Sequence, residues 1–132
     1  ETAKVFDNLY GSPYKNVKTI FDKNKNVLFD IDWQGAKKIR KKFPKISIID
    51  FFILPPNKKE LKNRLEQRGR DNKSEIKKRL SLAVNEINHY SEYKYVIVND
   101  SINKTLKNII KILDYENLLD QINHKIKSVD IH

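Results

Sequence analysis

The nine residues ISIIDFFIL, Ile46–Leu54, are apolar at every position except Ser47 and Asp50, and Pro55-Pro56 ends the run. A strand with one face in water alternates apolar and polar side chains, and this one does not. The pattern belongs to a strand covered on both faces, the situation in parallel sheets flanked by helices. That stretch alone narrows the fold class to α/β.

The neighbouring segments agree. Val27–Asp32 is rich in Val, Leu, Phe and Ile and reads as a strand of about six residues. From Trp33 to Phe43 the positions Ala36, Ile39 and Phe43 make one apolar stripe among lysines, a helix that Pro44 stops. Asn57 is a helix N-cap, with the helix running through Leu61 and Leu65 to Arg68, where Gly69 closes it. Residues 69–73, GRDNK, read as a polar loop, and a long helix capped at Ser74 runs to His89 or Tyr90. Tyr95–Val98 is a third strand, ended by Asn99-Asp100. A final amphipathic helix over about 102–127 carries Leu106, Ile109, Ile110 and Leu113 on its apolar side.

Strand, helix, strand, helices, strand, helix is the order of right-handed βαβ units. Ligands in such sheets bind at the carboxyl ends of the strands, which puts Asp32, Pro55 and Asn99 on one rim. Residues 1–25 differ in character: a strand over Val5–Tyr10, a turn at Gly11-Ser12-Pro13 and a short helix over Tyr14–Lys23 make a small subdomain beside the core of 26–132.

Net charge is +10, which favours anionic partners. Lysine is spread along the whole chain and mostly solvates helix faces. No pattern of aromatic and basic residues suits RNA, and no apolar run nears the roughly 20 residues of a membrane span. Cysteine is absent, so neither a disulfide framework nor a thiolate metal site is expected. The expectation is a soluble cytoplasmic protein that binds neither nucleic acid nor membrane. His89, His124 and His132 lack metal-ligand spacing and read as structural or solvated. Trp33 reads as a core anchor at a helix start.

Two groups of polar residues stand out. In a strand, side chains at i and i+2 share a face, so Asp30 and Asp32 lie together about 6 to 7 Å apart. Two carboxylates so placed repel unless a metal, arginines or ligand N–H groups meet them, or unless one caps the next helix. Of the 27 cationic residues five are Arg, and four of these, Arg64, Arg68, Arg70 and Arg79, fall within one 16-residue window. Guanidinium offers the planar, two-pronged contact with phosphate that ammonium cannot. Arg64 and Arg68 are spaced to serve one anion, and Arg79 lies on the next helix across a Gly-bearing loop, the parts of a lid that closes over phosphates. Surface salt bridges to Glu60, Glu66 and Glu75 are the other reading of the same residues.

LYGSP, LFDIDWQGA, FILPP, LKNRLEQRGRDN, IKKRL and YVIVND occur here in order and spacing. Together these motifs resemble the guanylate kinase family of nucleoside monophosphate kinases, over essentially residues 1–115. The resemblance implies a P-loop NTPase-type parallel sheet flanked by helices, with a GMP-binding subdomain and an Arg-rich lid at about 66–80. It also implies phosphoryl transfer from ATP, with Mg²⁺, to GMP. Glu1 falls where the family's carboxylate meets the guanine edge, and Ser12 where a hydroxyl reaches the guanine carbonyl. A carboxylate accepts from guanine N1–H and N2–H₂ and would reject adenine, which offers an acceptor there. Tyr10 matches a tyrosine near the GMP phosphate, Asp30 an aspartate on the guanine side, and Asp32 one near the phosphates and magnesium. Arg68 and Arg79 match lid arginines that clamp the transferred group. Arg64 and Asn99 fall on the ATP side.

The chain also departs from that family. Its glycines are Gly11, Gly35 and Gly69, and none begins a GxxxxGK[ST] loop. No methionine is present, and Glu1 falls midway through the GMP-binding subdomain, so the expectation is a fold incomplete at the N-terminus, inactive alone, with a sheet edge left open beside Val27–Asp32. A different class, a guanylate-kinase-like module that binds proteins without catalysis, is the alternative; retention of Glu1, Ser12, Asp30, Asp32 and the arginines favours the enzyme. The oligomeric state is open, and the helical tail beyond Asp114 could pack on the core or on a second chain.

Overall fold

The computed structural model describes residues 2–5, 8–11, 14–23, 25–44, 47–68 and 72–129. Strands β1 (Thr2–Val5) and β2 (Asn8–Gly11) form an antiparallel hairpin, with Thr2 opposite Gly11 and Val5 opposite Asn8. The single strand expected over Val5–Tyr10 is thus two, β1 ending at Val5 and β2 beginning at Asn8 as its antiparallel partner. Helix α1 (Tyr14–Asp22) follows and buries Val17.

Helix α2 (Trp33–Lys42) has the apolar stripe its sequence predicts. Ala36 and Ile39 are buried along it, and Ile39 joins Val17 and Phe43 in the core cluster, with Phe29 and Ile48 packed against it. Each such side chain contributes about 1.5 to 3 kcal/mol of hydrophobic stabilisation when fully removed from water. Pro44 comes directly after Phe43, whose N–H still reaches the Ile39 carbonyl at 3.0 Å.

Strands β3 (Phe51–Leu54) and β4 (Tyr95–Val98) pair in parallel, Phe51 opposite Tyr95 and Leu54 opposite Val98. The α/β class is therefore present, but the ladder differs from expectation in three ways. Of the described part of the apolar run, Ser47–Leu54, only Phe51–Leu54 is strand, because the partner begins at Tyr95, whose N–H meets the Asp50 carbonyl at 3.3 Å. Val27–Asp32 belongs to no ladder: a strand needs a neighbour for its backbone groups, and no described strand pairs with it. Coverage of the sheet is partial on each face. Phe52 is buried on one and Ile97 on the other, yet Ile53 is 47% and Val98 50% exposed, since two strands give the helices a narrow floor.

Helix α3 (Lys58–Arg68) starts at the expected cap, with Asn57 Oδ1 accepting from the Glu60 N–H at 2.8 Å. Helix α4 (Lys73–Ile87) packs against it. Its cap is Asn72 and not Ser74: Asn72 Oδ1 takes the Glu75 N–H at 3.0 Å and the Ser74 hydroxyl at 2.9 Å. The amide of Asn reaches both donors from one position, which moves the helix start one residue into the predicted loop. A 3₁₀ turn at Tyr90–Glu92 then leads to β4.

Asp50 joins three elements. Its carboxylate accepts from Arg40 Nε on α2 at 2.6 Å and from the Lys94 N–H at 2.8 Å, and Arg40 lies 4.7 Å over the Tyr93 ring. Helix α5 (Ile102–Ser128) is capped by Ser101 and held to β4 by buried Glu116, which accepts from Lys94 Nζ at 2.6 Å and from the Tyr95 hydroxyl. Leu106, Ile110 and Leu113, expected on its packed side, are surface residues, while Ile109 and Ile112 are half-buried. Anchoring at Glu116 turns the 109–112–116 line inward and leaves the neighbouring stripe outside. No helix of the described residues is long and apolar enough to cross a membrane.

Candidate nucleotide site

Asp32 is the N-cap of α2. Its backbone is extended, with φ −79° and ψ 179°, and its Oδ1 accepts from the Gly35 N–H at 2.9 Å while its carbonyl takes the Ala36 N–H, also at 2.9 Å. The helix N-terminus thus holds one carboxylate oxygen in place, and the positive end of the helix dipole favours the charge. Gly35 eases a close approach: a Cβ there would lie 3.1 Å from Ile31 Cβ.

Asp30 is exposed and lines a cavity of about 290 Å³ with Ile31, Pro55, Leu61 on α3, and Ala83 and Glu86 on α4. The end of β3, helices α3 and α4 and the first aspartate thus line one cavity. Asp30 and Asp32 lie on an unladdered segment leading into α2 and not on a strand.

Glu86 carries no role in the sequence motifs and is the residue the structure adds. Its Oε1 accepts from the Trp33 N–H at 3.3 Å. Burial pushes its carboxyl above the usual range, the nearby Asp32 charge adds to that, and the Trp33 N–H partly offsets both. The Trp33 indole stacks on His89, rings 3.6 Å apart and 6° from parallel, so His89 is structural as expected. Beneath the cavity, burial pushes the Tyr93 hydroxyl up to about 12. No spacing of residues could have revealed Glu86, whose partner lies 53 positions away.

Arg64 and Asn99 come together. Arg64 Nη2 donates to the Asn99 carbonyl at 3.0 Å while its Nε pairs with Glu60 at 2.8 Å. Asn99 Oδ1 accepts from buried Thr105 at 2.8 Å, and its N–H meets the Leu54 carbonyl at 2.7 Å, fixing it at the carboxyl ends of both strands. Arg68 is exposed at the last position of α3, and Arg79 is exposed in the second turn of α4. Tyr10 pairs with Ala3 in the hairpin. Glu1, Ser12 and Arg70 lie outside the described residues.

Among the described residues no three His, Cys, Asp or Glu side chains cluster as a metal cage. Magnesium in phosphoryl transfer is held by substrate phosphates and one or two carboxylates, so a single carboxylate such as Asp32 fits that lesser demand.

Residues 1–116 match the family model described as guanylate kinase. The chain belongs to the guanylate kinase family. It is 46% identical to a guanylate kinase of Rickettsia conorii over 113 residues, covering 86% of this chain and 48% of that protein. It is 48% identical to one of Haemophilus influenzae over 126 residues, covering 95% and 60% respectively. The crystal structure of guanylate kinase from Anaplasma phagocytophilum superposes with a TM-score of 0.72 at 39% identity, over 88% of this chain and 54% of that one. The fold is accordingly that of a guanylate kinase in part, and this chain spans between 48% and 60% of the length of these two relatives.

Proposed function

We propose that this chain supplies the GMP-binding and lid parts of a guanylate kinase, which transfers the γ-phosphoryl group of ATP to GMP and yields ADP and GDP in the cytoplasm. The observation that carries it is Asp32, fixed by the first turn of α2, with Glu86 of the Arg79-bearing helix α4 on the neighbouring Trp33 N–H. Residues 1–25 belong to the GMP-binding subdomain, where Glu1 and Ser12 read the guanine edge and Tyr10 meets its phosphate, with Asp30 on the guanine side. The lid spans about 66–80.

Phosphoryl transfer asks little covalent chemistry of the protein; positioning and charge stabilisation are its share. Arg68 and Arg79 approach the transferred group as the lid closes and exclude water from it. Asp32 orients the phosphate side of the site. Arg64 and Asn99 shape the ATP side through their mutual hydrogen bond. Magnesium bound with ATP supplies neutralisation of phosphate charge.

The test is ADP release from ATP with GMP as acceptor, measured on the gene product and on the 132-residue chain, with calorimetry of GMP binding to the latter. GMP is expected to bind this chain in preference to AMP. Turnover is expected to require a phosphate-cradling loop, which this sequence lacks. Equal affinity for GMP and AMP would overturn the assignment, and turnover by the 132-residue chain would overturn its inactivity alone.

A further inference from the structure

Glu86 stands seven residues after Arg79 on α4, two turns along and on nearly the same face. At its own end it meets α2: its carboxylate takes the Trp33 N–H, while Asp32 takes that of Gly35. The two carboxylates therefore satisfy two of the N–H groups that every helix leaves unpaired in its first turn, one from within α2 and one from another helix. An acid is a costly choice for the second of these, half-buried and beside a like charge. Departures from the cheapest local choice concentrate where position matters to function.

We propose that Glu86 is a positioning residue: by tethering α4 to the first turn of α2, it sets Arg79 relative to Asp32. Helix α4 is continuous between the two positions, so a fixed point at Glu86 limits how the arginine swings. The meaning of Arg79 and Asp32 rests on the guanylate kinase reading, but the tether does not.

The chain has no cysteine, so nitroxide labels on Lys38→Cys of α2 and Lys77→Cys of α4, both exposed positions, report the inter-helix distance directly. A single narrow distribution is expected with Glu86 present and with Glu86→Gln, whose amide oxygen still accepts from Trp33. Glu86→Ala is expected to broaden it. In the gene product, Glu86→Ala is expected to lower kcat roughly 10-fold or more with KM for GMP within about 2-fold, and Glu86→Gln to recover most of the loss. An unchanged distribution in Glu86→Ala, or one equally broad in Glu86→Gln, overturns the tether. A broadened distribution with unchanged kcat, or parallel loss of kcat and affinity, overturns the positioning role. A parent protein that turns over no GMP defeats the functional reading, while the distances still decide the tether.

Discussion

Arg64 Nη2 lies 3.0 Å from the Asn99 carbonyl oxygen and thereby ties α3 to the end of β4. The same guanidinium reaches Glu60 one turn back. Arg64→Ala is expected to destabilise the chain by about 1 to 2 kcal/mol in urea denaturation. Arg64→Lys is expected to recover less than half of that, because a point charge cannot span a carbonyl and a carboxylate at once.

Asp32→Asn separates structure from chemistry. Asn caps helices as well as Asp does, so the stability of the variant is expected within about 0.5 kcal/mol of the parent. On the proposed reading, loss of that negative charge is expected to lower GMP phosphorylation by the gene product on the order of 10²-fold. A fall in activity matched by a fall in melting temperature would mean that the cap, and not the charge, is what Asp32 contributes.

Gly35→Ala places a methyl group 3.1 Å from the Ile31 side chain and 3.4 Å from Asp32 Oδ1. Ile31 must give by a few tenths of an ångström to accommodate it, and that local strain opposes the roughly 1 kcal/mol by which alanine exceeds glycine as a helix former. Amide hydrogen exchange is expected to speed up at Gly35 and Ala36 and to stay unchanged at Ile97 on the far strand.

Two carboxylates give opposite pH dependences. Burial and Asp32 raise the Glu86 value, so the folded state holds that proton more tightly and ionisation costs stability as pH rises above the ordinary carboxylate range. Glu86→Gln is expected to be at least as stable as the parent at neutral pH, and that advantage to disappear in acid. Hydrogen bonds from Lys94 and Tyr95 lower the Glu116 value, so its contribution is present above the unfolded value and is lost as pH falls through the folded one. Glu116→Gln is expected to be weaker at neutral pH and to converge with the parent as pH falls through the folded-state value. Denaturation curves between about pH 3 and pH 8 check both signs.

Local chemistry was readable from the sequence where one residue and its near neighbours decide the outcome. Asn57 before α3, the Ile39 and Phe43 stripe, and the apolar cores of β3 and β4 all follow from spacing alone. Val27–Asp32 has strand composition, yet composition cannot provide the neighbouring strand on which a ladder depends. The choice of Asn72 over Ser74 turned on which side chain reaches two donors, and the outward stripe of α5 on where Glu116 is held. Within the site, the paired aspartates and the arginines are visible in the chain. The contact from Glu86 to Trp33 arises only when α4 folds back across α2.

Trp33 is the one tryptophan of the chain, and it lies flat on His89 at the junction of α2 and α4. The protein thus carries an optical label of its own making at the place where the helices meet. Its emission comes from a single indole and not from an average over many, and the ring stacked on it governs that emission. A rearrangement of that junction can be followed by light in the unmodified molecule.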